Sequence, residues 1–300
     1  MTPKIIIAQN LNFSDEQLER LGKLGELVAY NNPKSEVEWL ERCEKADIIC
    51  SGSMFMKTEV YKLKNKFFTI PMVGYSWLDL EKLSEKNITV ANCPGCNKYA
   101  VTEWIVAMTL ELTRKFSRFT NTSEPFDINF PSLGLKGKKI VILGKGNVGA
   151  LTADVLTALG SNVSYYHRGD DLLEKTKDAD IVINCLSTNP ATMGLLDHNF
   201  FNHLKRGVYF ITISPSDILD QQALMAAINQ GIIAGVATDC ASAGPRDIAD
   251  PRYTEMSSHP CIIATPHIAW FSDTSISDEN DMMIDNIEAW IKGKPKNIVI

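Results

Sequence analysis

A chain of 300 residues, 45% hydrophobic and 22% charged, has the profile of a soluble globular protein with room for one large core or two ordinary ones. Its formal net charge is -6, and Lys and Arg are scattered rather than clustered. That balance gives no basis for a nucleic-acid or membrane-surface partner, and small molecules are the expected ligands. No apolar stretch reaches the about 18 residues of a membrane span, and Ile5-Ile-Ile is too short for a secretory signal, so a cytoplasmic protein is expected.

Strand-length apolar runs alternate with amphipathic segments, the pattern of a parallel sheet with crossover helices. The first series comprises Lys4 to Gln9, Glu26 to Tyr30, Asp47 to Cys50, Phe67 to Val73 and Ile88 to Cys93. A long helix is predicted from Tyr99 to Phe116, with Val101, Trp104, Ile105, Met108, Thr109 and Leu112 at helical spacing. The segment Phe119 to Gly137, rich in Asn, Ser, Pro and Gly, reads as a boundary. The second series comprises Lys139 to Leu143, Asn162 to Tyr166, Asp180 to Cys185, Val208 to Ile213, Ile232 to Thr238 and Cys261 to Ala264. Asp220 is a predicted N-cap for a helix over Gln221 to Gln230 that Gly231 closes. A last helix, Asp278 to Ile291, leads to Asn297-Ile-Val-Ile300, which is expected to add back to the first series.

The fold class is therefore α/β in two domains: a Rossmann-type doubly wound parallel sheet and a smaller flavodoxin-like α/β substrate domain. Residues 1–97 and 275–300 are assigned to the substrate domain, and 98–274 to the dinucleotide-binding domain. Seven cysteines, several of them in apolar runs (Cys50, Cys185, Cys240, Cys261), suit reduced core thiols better than a disulfide framework. Cys93-Pro-Gly-Cys96 has redox or metal spacing, but with no second Cys/His pair nearby a structural role and no metal site are expected.

Strand Ile140-Val-Ile-Leu143 runs into Gly144-Lys-Gly146-Asn147-Val148-Gly149 and then a helical pattern. Each glycine has a reason: a tight turn at Gly144, room for pyrophosphate beside Gly146, and close helix-to-strand packing at Gly149. The helix N-terminus, at Asn147 and Val148, then offers amide hydrogens to phosphate. The next strand ends Tyr166-His167-Arg168, where an NAD site would carry an acid for the adenosine ribose. His167 and Arg168 suit a 2′-phosphate instead, so NADP is favoured over NAD, although Asp170 and Asp171 stand close enough to supply a displaced carboxylate.

Several stretches, in order, resemble the D-isomer-specific 2-hydroxyacid dehydrogenases over nearly the whole chain. They are Val73-Gly74-Tyr75, Asn92-Cys-Pro-Gly-Cys-Asn97-Lys-Tyr-Ala-Val-Thr-Glu103, the glycine loop with its preceding strand, Leu186-Ser187-Thr188 onward to Leu196, Gly235-Val-Ala-Thr-Asp239, and Thr265-Pro-His267-Ile-Ala269. The resemblance implies that His267 exchanges a proton with the substrate hydroxyl while hydride passes to or from nicotinamide. It puts Asp239 near the nicotinamide carboxamide, with Thr212 or Ser214 bonding the same region and Ile213 beside them. Leu186, Ser187 and Thr188 fall on the adenosine side. Val73 and Gly74 match backbone amides that receive the substrate carboxylate, and Asn97 is taken as a substrate residue. A homodimer is likewise implied by resemblance only.

The chain departs from the family where substrate is recognised. The family's carboxylate-binding arginine position is Pro215, its histidine-supporting glutamate position is Ser242, and Cys50-Ser-Gly-Ser-Met54 lacks the basic residue of some members. A hydrogen bond to a charged group contributes about 1.5–3 kcal/mol, so losing a two-pronged arginine costs roughly 3–6 kcal/mol, or about two to four powers of ten. The expected function is a divergent NAD(P)-dependent oxidoreductase acting on a small 2-oxo or 2-hydroxy acid or related carbonyl compound. The alternative is a catalytically silent dinucleotide-binding sensor or scaffold.

Overall fold

In strand β1 (Lys4–Ile7), Ile5 and Ile7 join one apolar cluster and Ile6 joins another on the opposite face. Burial on both faces is why this strand reads as an unbroken apolar run rather than an alternation. A computed structural model of the chain describes residues 2–116, 119, 131–214, 216–239 and 248–300. The chain divides into two units, Met1–Asn97 with Ser272–Ile300, and Lys98–Phe271.

In the first unit β1 is followed by α1 (Asp15–Gly22), β2 (Glu26–Ala29), α2 (Glu36–Glu44), β3 (Ile48–Cys50), α3 (Ser53–Glu59), β4 (Lys66–Thr69), α4 (Leu80–Glu85) and β5 (Ile88–Ala91). The five strands are parallel in the order β2-β1-β3-β4-β5. That is the flavodoxin-like order, with its topological switch between β1 and β3. Trp39, Ile49, Phe68 and Val90 fill one face; Leu21, Ile48 and Phe67 fill the other. The chain returns at Ser272 and completes the second face with a 19-residue helix, whose Met283, Ile284 and Ile287 are buried and whose Trp290 stacks on Phe67 at 4.4 Å. The C-terminal residues do add back to this unit: the Val299 N–H donates to Val90 O at 2.9 Å, and Val90 returns the bond to Ile300 O.

The second unit opens with α5 (Lys98–Arg114) and continues with β6 (Lys139–Leu143), α6 (Asn147–Ala158), β7 (Asn162–Tyr166), α7 (Leu172–Thr176), β8 (Ile181–Asn184), α8 (His198–His203), β9 (Val208–Thr212), α9 (Gln221–Asn229), β10 (Ile233–Thr238), α10 (Pro251–Ser257) and β11 (Ile262–Ala264). The 19-residue helix of the first unit, Asp273–Ile291, is α11. Six parallel strands lie in the order β11-β10-β9-β8-β6-β7, so the switch falls between β6 and β8. Ile140, Ile142, Ile181 and Ile211 face Val101, Ile105 and Leu156 on one side; Val141, Val182 and Phe210 face Phe200, Phe201 and Leu224 on the other. Asp220 caps α9 by accepting from the Gln222 and Ala223 N–H groups, and Gly231 beyond it adopts φ 68°.

Two expectations are corrected. The segment 119–137 is not a division between units, because α5 ahead of it packs on the sheet that follows and Leu135 within it is buried there; 120–130 lie outside the described residues. Cys261 is exposed, not a core thiol: it stands in the turn before β11, where its N–H donates to His259 Nδ1 at 3.2 Å. Cys240 lies outside the described residues. Among the described residues no helix is long and apolar enough to cross a membrane.

Candidate active site

Every cofactor-side residue expected from the sequence follows the C-terminal end of a strand in the second unit. The glycine loop follows β6, His167 and Arg168 follow β7, and Leu186 and Ser187 follow β8. Ile213 and Ser214 follow β9, Asp239 follows β10, and His267 follows β11. Ligands of open α/β sheets bind along this edge.

The three glycines differ in what they do. Gly144 adopts φ 97°, and a Cβ there would meet Cys185 O at 3.1 Å. At Gly149 a Cβ would lie 2.1 Å from Gly144 O, so helix α6 reaches this close to the strand only without a side chain. At Gly146 a Cβ would meet nothing within 4 Å, and no side chain caps α6 there. Open space beside an uncapped helix start, with the Asn147 and Val148 amides in its first turn, fits a phosphate. A further fit lies past β8, where Thr188 Oγ1 is buried without a hydrogen-bond partner among the described residues.

At the end of β7, His167 and Arg168 are exposed. The His167 N–H donates to Asp170 Oδ2 at 3.0 Å, and the Asp170 N–H donates back to His167 O at 3.0 Å around Gly169, whose φ is 97°. Asp171 caps α7 by accepting from the Leu173 and Glu174 N–H groups. Both acids are thus occupied by the backbone of their own loop. The ends of β8 and β9 are knotted together: Asn184 Nδ2 donates to Thr212 Oγ1 at 3.2 Å, and the buried Ser214 hydroxyl donates to Asn184 O at 3.3 Å. Asn184 Oδ1 also accepts from the Leu186 N–H at 3.2 Å. Ile213 packs partly buried against the apolar face that contains Ile211. Ser187 is exposed, with its carbonyl accepting from Thr192 Oγ1 at 2.7 Å.

Asp239 is 2% exposed, and its carboxylate accepts from Thr265 Oγ1, from the Ile268 N–H at 2.8 Å and from the Ala269 N–H at 2.7 Å. Burial pushes this carboxyl above the ordinary aspartate range, and the hydroxyl and the two amides pull it back. The residue enclosed by these bonds is His267, a non-glycine residue at φ 58°. Its N–H donates to Thr265 O at 3.0 Å and its carbonyl accepts from Trp270 Nε1 at 3.1 Å. Asp239 therefore fixes the backbone from which the half-buried imidazole projects. Sequence reading placed both residues but missed this link, which joins positions 26 to 30 residues apart.

In the first unit, Val73 is partly exposed, its carbonyl accepts from Asn92 Nδ2 at 2.7 Å, and Gly74 O accepts from Trp77 Nε1 at 3.2 Å. With the carbonyls so held, the two amides make no hydrogen bond among the described residues. Asn97 is half-buried at the point where the chain leaves the unit. A residue not expected from the sequence is Gln9, past β1. Its buried Oε1 lacks a partner among the described residues, and its Nε2 is where a Cβ on Gly52 would reach, at 2.8 Å. The signal was the flavodoxin-like switch between β1 and β3. Pro215 and Ser242 lie outside the described residues.

Cys93 and Cys96 are buried beside Glu279 of α11, and burial pushes Cys96 to about 12 and Cys93 higher still. Thiols held neutral are poor nucleophiles and poor metal ligands. Among the described residues no group of three or more His, Cys, Asp or Glu is placed to hold a metal ion.

Residues 106–269 match the family described as D-isomer specific 2-hydroxyacid dehydrogenase, NAD binding domain, which is more than half of the chain. The chain belongs to this family. A hydroxypyruvate reductase of Blautia hydrogenotrophica is 27% identical to it over 99% of each chain. A D-lactate dehydrogenase of Staphylococcus aureus is 26% identical over 76% of each. Among solved structures, an acyclic imino acid reductase in complex with NADPH and D-Arg superposes with a TM-score of 0.82 over 99% of this chain and 100% of that one, at 22% identity. The protein is thus a nicotinamide-dependent oxidoreductase of the 2-hydroxyacid dehydrogenase type, and most of its second unit is the NAD binding domain.

Proposed function

We propose that this dehydrogenase-family protein passes hydride between a nicotinamide dinucleotide, NADP in preference to NAD, and the C2 carbon of a small 2-oxo or 2-hydroxy acid or related carbonyl compound. The observation that carries this reading is the clamp on His267: a buried carboxylate fixes the turn that bears the imidazole, on the same sheet edge as the glycine loop.

In the direction of reduction, the imidazolium of His267 gives its proton to the oxygen at C2; in oxidation the neutral ring takes it back. When bound, the nicotinamide supplies or accepts the hydride. Asp239 acts as a positioning residue, because its oxygens are spent on the turn. On the first unit, which we assign to the substrate, the Val73 and Gly74 amides receive the carboxylate as backbone donors, and Asn97 adds a polar group. With Pro215 at the family's arginine position, ordinary 2-oxo acids are held weakly. The NADP preference rests on His167 and Arg168 being exposed while Asp170 and Asp171 serve their own loop. A homodimer is part of the same reading, and sedimentation tests it.

The test is steady-state oxidation of NADPH and NADH against pyruvate, hydroxypyruvate, a 2-oxo acid mixed with ammonia, and a neutral ketone. Turnover of at least one, with NADPH the better donor, is expected. Dinucleotide binding without turnover of any would sink the reading and leave the silent sensor in its place.

A further inference from the structure

We propose that Lys145, inside the glycine loop, is a 2′-phosphate-binding residue that sets the preference for NADP, held in place by Tyr165. The proposal rests on the reading that this loop holds the dinucleotide, and adds to it a residue that neither the sequence pattern nor the His167-Arg168 pair identifies.

Strands β6 and β7 run in parallel with Ile142 opposite Tyr165 and Leu143 opposite Tyr166, so the loop after Leu143 emerges beside the end of β7. Lys145 is the exposed residue between Gly144 and Gly146. Its Nζ stands 5.0 Å from the centroid of the Tyr165 ring, which holds the ammonium by cation–π attraction at the β7 edge. The His167 ring lies on the same tyrosine, at 5.8 Å between centroids. Arg168 follows, exposed. An ammonium and an imidazole therefore share one aromatic ring, with the exposed Arg168 next in the chain, where an NAD site has a carboxylate.

The nearby acids leave this charge uncompensated. Asp170 bonds the His167 N–H and lies 3.8 Å from Lys175, and Asp171 caps α7. Burial raises the proton affinity of the Tyr165 phenol, and the negative charge of Asp154 on α6 adds to the rise. No carboxylate among the described residues comes within 4 Å of the Lys145 ammonium or the Arg168 guanidinium. A neutral ribose hydroxyl gains little from such a cluster. A 2′-phosphate, with about two negative charges and three acceptor oxygens, gains a charge-assisted bond from each cation. Tyr165 contributes by holding the flexible lysine where it is needed, so less freedom is lost on binding.

The experiment is calorimetric binding of 2′,5′-ADP and 5′-AMP to the full chain and to Lys145→Met, which keeps an apolar stem at an exposed site, with Arg168→Gln as comparison. NADPH and NADH binding, followed by nicotinamide fluorescence, is measured alongside. The wild-type chain is expected to bind 2′,5′-ADP more tightly than 5′-AMP. Lys145→Met should weaken 2′,5′-ADP and NADPH by about 10- to 100-fold and leave 5′-AMP and NADH nearly unchanged. Equal weakening of both nucleotides would place Lys145 on the shared 5′-phosphate and overturn the proposal. So would an unchanged preference in Lys145→Met, which leaves the NADP reading standing on Arg168 alone. A wild-type chain that binds the two nucleotides equally would overturn both, and failure to bind either would remove the dinucleotide reading itself.

Discussion

Glu279 is expected to make the stability of the first unit fall as pH rises from about 4.5 to about 7, and Glu279→Gln is expected to abolish that fall. The side chain is 5% exposed on α11, its Oε1 accepting from Ser275 Oγ at 3.4 Å and from Cys96 Sγ at 3.9 Å, while Asp278 adds negative charge next to it. Burial without a cation pushes the carboxyl from near 4.5 up to about 7. The folded state thus keeps a proton that the unfolded chain has released between these values, and stability falls with pH across that window. Each decade of proton affinity is worth about 1.36 kcal/mol, so the loss between pH 4.5 and 7 comes to about 3 kcal/mol and stays constant above. Glutamine has the same shape and no proton to lose. In urea unfolding followed by tryptophan fluorescence, the stability of Glu279→Gln minus that of wild type should be about 3 kcal/mol more positive at pH 8 than at pH 4.5. A difference that stays flat with pH would refute the reasoning, because it would mean that Glu279 is solvated or paired as an anion.

Other consequences test the site itself. Gly149→Ala places a methyl 2.1 Å from Gly144 O, so the loop must shift; a loss of about 1–3 kcal/mol in unfolding experiments and loss of dinucleotide binding are expected together. Gly146→Ala meets nothing in the protein, so calorimetry should show dinucleotide binding lost with only the about 1 kcal/mol that an alanine N-cap costs in stability. Asp239→Asn puts an NH2 group against N–H donors of the His267 turn. It should destabilise by about 1–3 kcal/mol in thermal or urea unfolding, and in steady-state kinetics it should lower kcat more than it weakens NADPH binding.

The framework could be read from the sequence because it depends on local pattern. Ile5 to Ile7, Ile140 to Leu143 and Ile181 to Asn184 are buried on both faces, and such strands announce themselves as apolar runs between helical segments. The glycine loop was equally plain, since Gly144 and Gly149 are required by backbone conformation and by contact. What sequence did not reveal is chemistry made by distant partners. Asp239 matched a family position, yet its hold on the His267 turn exists only because β10 and β11 are neighbours. Glu279 carries no signal in the sequence, because its burial depends on Cys96, 183 residues away, as well as on Ser275 of its own helix. Lys145 has no assigned role in the glycine pattern, and only the register of β6 against β7 sets it over Tyr165. Cys261 went wrong for the opposite reason: an apolar neighbourhood in sequence was read as burial, but the residue precedes the strand.

In the proposed reaction His267 moves the proton that accompanies hydride transfer. The most direct test of this role is rapid mixing of the NADPH-loaded protein, wild type or His267→Asn, with a 2-oxo acid while nicotinamide fluorescence is followed. Equal NADPH affinity for both proteins is expected, with decay of the signal in wild type and a decay about a hundred- to ten-thousand-fold slower in His267→Asn. Equal decay rates in the two proteins would contradict that role.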